Sequence, residues 1–317
     1  MEILVSEVGP RDGLQNVTAI MPTAAKKAWI DALVAAGVSE IEVGSFVPPS
    51  LIPQLADTAE IVAHARTHPG LTVAALVPNR RGAENALKAG AHKLTLPLSV
   101  SETHSLANLR RTHDQVIEEV KGVVELIRQL PEGERPHFEG SLSTVFGCTL
   151  EGAIPDAQIL SLAVRLMEAG CDEIGLSDTT GYATPGEVKR LVALVRGEVG
   201  EAAVQGLHLH NTRGLGLANV VAGIEAGITT FDASQGGLGG CPFAPGASGN
   251  IVTEDLVFML QSMGLETGIS IDGLLAAREV LAEALPDEPL YGFIADAGLP
   301  KGWAGESTPT TKMKEYA

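Results

Sequence analysis

Eight short β-prone runs alternate with longer amphipathic stretches along this chain, and no other feature limits its fold as strongly. The runs are ILVSE (3–7), EIEVGSF (40–46), LTVAALV (71–77), HKLTLPL (92–98), HFEGSLSTVF (137–146), EIGLSD (173–178), VQGLHLH (204–210) and TTFDAS (229–234). Helical patterns such as TAAKKAWIDALVAAG and DAQILSLAVRLMEAG lie between them and end at glycines suited to a helix C-terminus. Strands joined by crossover helices pair in parallel. Eight such units predict an α/β fold, a closed (β/α)8 TIM barrel with its helices outside. An open doubly wound sheet is the alternative. No linker, low-complexity block or charge run interrupts residues 1–285, so they read as one domain. Residues 286–317, beginning PDEPLYGF, read as a short irregular C-terminal extension with a frayed end.

A barrel concentrates chemistry at the C-terminal ends of its strands, and closure makes the last strand a neighbour of the first. The segment after the first strand is SEVGPRDGLQNV, where Gly9 and Pro10 stop regular structure and display Arg11 and Asp12. An ordinary polar turn is the bland alternative. In GLHLHN, period-two alternation puts Leu207 and Leu209 on one face and His208 and His210 on the other. If the leucines pack under the helices, both imidazoles face the barrel mouth, as a metal grip or as satisfied core histidines. Glu42 stands opposite Ile41 and Val43 by the same logic, or is half of a surface pair with Glu40. After the eighth run comes QGGLGGCPFAPGASGNIVTEDLVFML, a glycine-rich loop that carries Cys241 and ends at Asn250. Thr253 is the expected N-cap of the helix that follows, with Glu254 and Asp255 in its first turn.

Charge removes several function classes. The net charge of −17 repels phosphates at long range, so neither nucleic acid nor an anionic membrane is an expected partner. An anionic substrate needs a local basic or metal centre. Three cysteines, far apart and odd in number, fit a reducing compartment. No basic segment followed by an apolar one opens the chain and no apolar run approaches a membrane span, so the expected location is cytoplasmic.

The segments EVGPRDGLQN, EVGSFV with IPQLAD after it, VFGCTLEG, SDTTGYATPG, HLHNTRGLGLAN and GGLGGCPFAPGASGNIVTEDLV together resemble the 3-hydroxy-3-methylglutaryl-CoA lyase family. The cysteine loop is the most specific of these. The Arg-Asp pair and H-x-H are shared with a wider group of pyruvate-carboxyltransferase-like metal-dependent barrels that includes isopropylmalate synthase. The resemblance implies that Asp12, His208, His210 and Asn250 hold a divalent metal, Mg²⁺ or Mn²⁺ by the family's habit. It makes Arg11 and Cys241 catalytic and Glu42 a support of the metal site. Gln15, Ser45 and Asp178 fall on positions near the substrate. A CoA thioester is the implied substrate and a homodimer an allowed assembly.

The chemistry implied is a retro-Claisen cleavage to acetyl-CoA and acetoacetate. A base, Asp12 or His208, takes the tertiary hydroxyl proton, Arg11 steadies the thioester enolate, and the Cys241 thiol protonates its carbon. The chain departs from the family pattern at Val17, Thr18 and Arg213 and in LTLPLSVSETHS. The tail, which starts with acidic, proline-rich LPDEP, has no obvious counterpart of the basic segment that touches CoA in the animal enzymes. These departures bear on the acyl group and on how CoA is held. A condensing synthase or aldolase of the same barrel group, and a non-catalytic acyl-CoA-binding barrel, are the competing classes.

Overall fold

Each β-prone run becomes a strand. In the computed structural model, which describes residues 2–239 and 249–303, the strands are β1 (Leu4–Glu7), β2 (Glu40–Ser45), β3 (Thr72–Leu76), β4 (Lys93–Ser99), β5 (His137–Ser143), β6 (Glu173–Ser177), β7 (Gly206–His208) and β8 (Thr230–Ala233). They pair in parallel and in chain order, and Leu4 to Glu7 lie beside Thr230 to Ala233, which closes the ring. This is the TIM barrel, not the open sheet. The fifth run extends to residue 146 in sequence, yet β5 stops at Ser143 because Thr144 takes a left-handed φ of 59°.

Helices α1 (Thr23–Ala35), α2 (Thr58–Ala65), α3 (Arg80–Ala89), α4 (Glu102–Leu109), α5 (His113–Arg128), α6 (Asp156–Ala169), α7 (Pro185–Val199) and α8 (Gly216–Glu225) form the outer layer, followed by α9 (Thr253–Ser262) and α10 (Ile271–Ala284). The apolar side of each strand packs under them: Ile41, Val43, Val73, Leu94, Phe138, Leu207 and Leu209 are buried. Each such side chain contributes about 1.5–3 kcal/mol relative to exposure. No helix among the described residues is long and apolar enough to cross a membrane.

Bulky branched side chains usually fill such a barrel. Here Ser6, Ala74, Thr95, Ser141 and Ser177 face inward with charged Glu40, Lys93 and Glu139, and a cavity of about 740 Å³ enters from the mouth. Lys93 sits 2.9 Å from Glu139 and 3.6 Å from Glu40. Burial pushes the Glu139 carboxyl up to about 7 despite Lys93.

One buried carboxylate ties the first strand to the segment after the last. Glu7 Oε1 accepts the N–H groups of Gly9 (2.8 Å) and Gln235 (2.9 Å), and its Oε2 accepts the Thr253 hydroxyl (2.7 Å). Thr253 is therefore not the N-cap expected of it. Val252 precedes the helix, and the Thr253 hydroxyl serves a tertiary bond instead. Glu254 and Asp255 are buried too. Glu254 accepts from Gly236 N–H and Arg278, and Asp255 from the N–H groups of Phe293 and Ile294. Those last bonds hold α11 (Phe293–Ala297), a helical turn inside the stretch expected to be irregular. The frayed end expected of the extension falls largely on 304–317, outside the described residues.

Burial pushes the Glu7 carboxyl up to about 8, outweighing its three donors. The unfolded chain loses that proton near the ordinary value of about 4.3. Between roughly pH 4.5 and 8 the fold thus binds a proton that the unfolded chain has released, and stability falls as pH rises through that window. Glu7→Gln, neutral throughout, is expected to flatten the fall. Urea midpoints at about pH 5 and pH 8 check this; a slope as steep as the wild type's would show that another group sets it.

Candidate active site

The turn after β1 is tighter than a polar loop. The Val8 carbonyl accepts the N–H groups of Arg11 (3.1 Å), Asp12 (2.7 Å) and Gly13 (3.4 Å), a single wide helical turn over Gly9–Gly13. It aims both charged side chains at the cavity. Gly239 presses on it: with φ of 95°, a Cβ there would stand 2.6 Å from the Gly13 carbonyl oxygen, so glycine is required.

Arg11 is fixed on two sides. Its Nε donates to Glu42 Oε2 and its Nη1 to Asp12 Oδ1 at 2.6 Å. Glu42, at the cavity wall on β2, also accepts the Thr95 hydroxyl at 2.6 Å. Two of the five guanidinium N–H donors are thus spent on orientation and the others remain for a ligand. Burial opposes the charge on Arg11, but Glu42 and Asp12 overcome it and hold the guanidinium protonated.

Asp12 meets the histidines across the barrel seam. Its Oδ1 also accepts Gln15 Nε2 and its Oδ2 accepts Asn250 Nδ2, each at 2.6 Å. His208 and His210 project from the end of β7 with their Nε2 atoms 3.0 Å apart, and His208 Nε2 lies 3.9 Å from Asp12 Oδ2. The ligand atoms of Asp12, His208 and His210 all fall within 4.8 Å of one another. Asn250 joins by a backbone bridge to His210.

The electrostatics follow from this packing. Burial would raise the Asp12 carboxyl, yet Arg11 and the two imidazoles hold it well below the usual carboxylate range. His208 is raised although burial opposes it, because its Nδ1 lies 3.0 Å from Asp232 Oδ2. Burial, and then His208, push His210 down to about 3. Two facing imidazole nitrogens beside an ionised carboxylate compete for one proton, and a divalent cation suits that donor set better. Asn250 Oδ1 is buried without a partner at the same place. The residues present therefore fit a metal ion.

The expected residues do not all converge. Arg11, Asp12, Gln15, Glu42, His208 and His210 line the cavity, and Asn250 stands behind Asp12. Ser45 is buried off that wall, where its hydroxyl accepts Val47 N–H at 3.2 Å. Asp178, after β6, is buried off the wall as well: Oδ1 accepts Tyr182 N–H at 2.8 Å, Oδ2 has no partner, and burial raises the carboxyl to about 6. Cys241 lies outside the described residues. Cys148 and Cys171 are buried, and burial pushes the Cys171 thiol up to about 12. Arg213 is spent on the carbonyls of Thr180 (3.0 Å) and Gly181 (2.9 Å). Asp232, which orients His208, escaped the motif reading. The signal was its inward position in TTFDAS beside β7.

Known proteins agree with this geometry. The family model described as HMGL-like matches residues 2–281. The hydroxymethylglutaryl-CoA lyase of Bacillus subtilis is 41% identical over 298 residues, which is 92% of this chain and 97% of that protein. A Pseudomonas aeruginosa protein named 3-hydroxy-3-isohexenylglutaryl-CoA/hydroxy-methylglutaryl-CoA lyase is 39% identical, over 90% of this chain and 93% of its own. The solved structure of an HMG-CoA lyase from Acinetobacter baumannii, in complex with coenzyme A and 3-methylmalate, superposes with a TM-score of 0.87 at 42% identity, covering 95% of this chain and 97% of that one. The family match begins before β1 and ends inside α10, so it takes in every strand that feeds the cluster; the chain belongs to the HMGL-like family, and it is a carbon–carbon lyase.

Proposed function

We propose that this chain is a divalent-metal-dependent lyase that cleaves 3-hydroxy-3-methylglutaryl-CoA, or a close 3-hydroxyacyl-CoA homologue, to acetyl-CoA and acetoacetate or its homologue. The observation that carries the reading is the meeting of Asp12, His208 and His210 beside a clamped Arg11 at the cavity wall. The named activities of the relatives, and the coenzyme A held by one of them, support it.

A divalent ion held by Asp12, His208, His210 and Asn250 would polarise the substrate's tertiary hydroxyl and ease the loss of its proton. Asp12 or His208 receives that proton. Asp232, 3.0 Å from His208 Nδ1, fixes the orientation of that imidazole at the site. Arg11 presents its unspent N–H donors to the thioester oxygen as the enolate forms. Glu42 and Asp12 have fixed its plane beforehand, so little reorganisation is needed. The Cys241 thiol gives the enolate carbon its proton, a role that calls for the protonated form a free cysteine, of pKa about 8.5, holds at neutral pH. Nothing in a binding protein calls for this whole set.

Acetyl-CoA release from several hydroxyacyl-CoAs, followed by a coupled assay, tests the proposal. Cleavage of none of them would refute it. Glu42→Gln is expected to lower metal affinity or turnover by about 10- to 100-fold, since it loosens the arginine and its neighbours without removing a ligand. Turnover and metal isotherms of that variant give the check.

A further inference from the structure

Four cationic side chains stand on the cavity wall among the described residues, and three have carboxylate partners. Arg11 is tied to Glu42 and Asp12, Lys93 to Glu139 and Glu40, and Arg111 to Glu119 at 3.1 Å. The Arg110 backbone N–H donates to the Leu106 carbonyl (3.1 Å), but its guanidinium has neither a hydrogen bond nor an ion pair. Its backbone is unusual as well. Among the described residues only Arg110 (φ 55°) and Thr144 adopt a left-handed φ without being glycine. Thr144 is held there by hydroxyl contacts with Ser99 and Ser101, whereas the Arg110 side chain is held by nothing.

A left-handed residue at the end of α4 is ordinarily glycine or asparagine, because a Cβ is costly in that conformation. The pull of a helix C-terminus on cations explains a basic residue somewhere in the last turn. It does not explain a long guanidinium at a left-handed position on the wall of the catalytic cavity. Nearby His104 adds no charge, since burial lowers its pKa. Asn108 and the apolar Val47, Pro48, Leu51 and Ile52 line the same cavity, a surface suited to an uncharged arm that ends in a charged group. The chain as a whole, at −17, repels such a ligand and needs a local counter-charge.

We propose that Arg110 is the anion anchor of this cavity: it receives an anionic group of the acyl-CoA substrate, either a CoA phosphate or the distal carboxylate of the acyl chain, through charge-assisted hydrogen bonds. The assignment rests on the acyl-CoA reading above. It supplies a basic contact for a chain whose tail starts with an acidic segment.

Arg110→Asn removes the charge and keeps a residue that tolerates the left-handed backbone, and Arg110→Lys restores charge without the fork. For Arg110→Asn the KM for the hydroxyacyl-CoA is expected to rise roughly 10- to 100-fold while kcat changes far less. Arg110→Lys should recover part of the loss. The thermal midpoint of Arg110→Asn should match or exceed the wild type's, and its KM should depend less on salt. Repeating the comparison with dephospho-CoA and pantetheine thioesters identifies the group: an effect that survives on the pantetheine thioester assigns the carboxylate, and one that disappears assigns a phosphate. Equal KM values for wild type and Arg110→Asn on the full thioester would overturn the anchor and leave the lyase intact. A wild-type protein that cleaves none of the thioesters would overturn the lyase reading and the anchor with it.

Discussion

Stripped of divalent ions by a chelator, the protein is expected to release no acetyl-CoA from its hydroxyacyl thioester, and added Mg²⁺ or Mn²⁺ is expected to restore release. The size of the effect follows from what remains without the ion. Arg11 still faces the thioester oxygen, but the tertiary hydroxyl is then an ordinary alcohol, and Asp12, held far below the usual carboxylate range, is a poor base for it. Asp12→Ala and His208→Ala should each weaken metal binding severely in titrations that do not depend on turnover. Full activity in metal-free protein would remove the metal from the mechanism, whatever the geometry of the three side chains.

Cys241→Ala is expected to lower turnover by roughly the 10²- to 10⁴-fold of a missing general acid. Metal binding should persist, because the ligand cluster is assembled from β1, β7 and Asn250 without it. Cys241→Ser should recover little, since a hydroxyl is a far weaker acid than a thiol. Alkylation offers an independent reading: Cys148 and Cys171 are buried, so a fast-reacting thiol in the folded protein would be Cys241. Near-normal turnover by the alanine variant would strike out the proton donor and favour a synthase-like chemistry that uses no thiol.

The eight strands were legible because the signal is local: each run is β-prone, short and bounded by turn residues, and every one appears within three residues of its expected ends. Most of the cluster was legible for a related reason. Alternation alone separates His208 and His210 from Leu207 and Leu209, and the strand-end rule brings Arg11 and Asp12 to the same rim. What escaped depends on partners distant in sequence. Thr253 looks like a cap until Glu7 claims its hydroxyl, and Asp232 acquires its role only through the β7–β8 register. Phe293–Ala297 is a five-residue run set between Gly292 and Gly298 in a stretch broken by prolines, and Asp255 accepts two N–H groups at its helical start. Ser45 sits on a motif position and yet lies off the cavity wall, beyond a break in the β2–β3 register between Glu42 and Ser45 that alternation does not reveal.

Closure of the ring by β1 against β8 gives the proposed metal ligands a history as well as a geometry. Asn250 reaches Asp12 across 238 residues of chain, and Thr253 reaches Glu7 across 246. A nascent chain that has emerged only as far as β6 holds Arg11 and Asp12 but neither His208 nor His210 to set beside them. Affinity for the ion therefore begins when the two ends of the sheet find each other, and an ion that binds only the closed form stabilises it by mass action. An ion held there would be a clasp on the seam as well as a reagent, and its uptake during refolding is expected to follow closure of the ring.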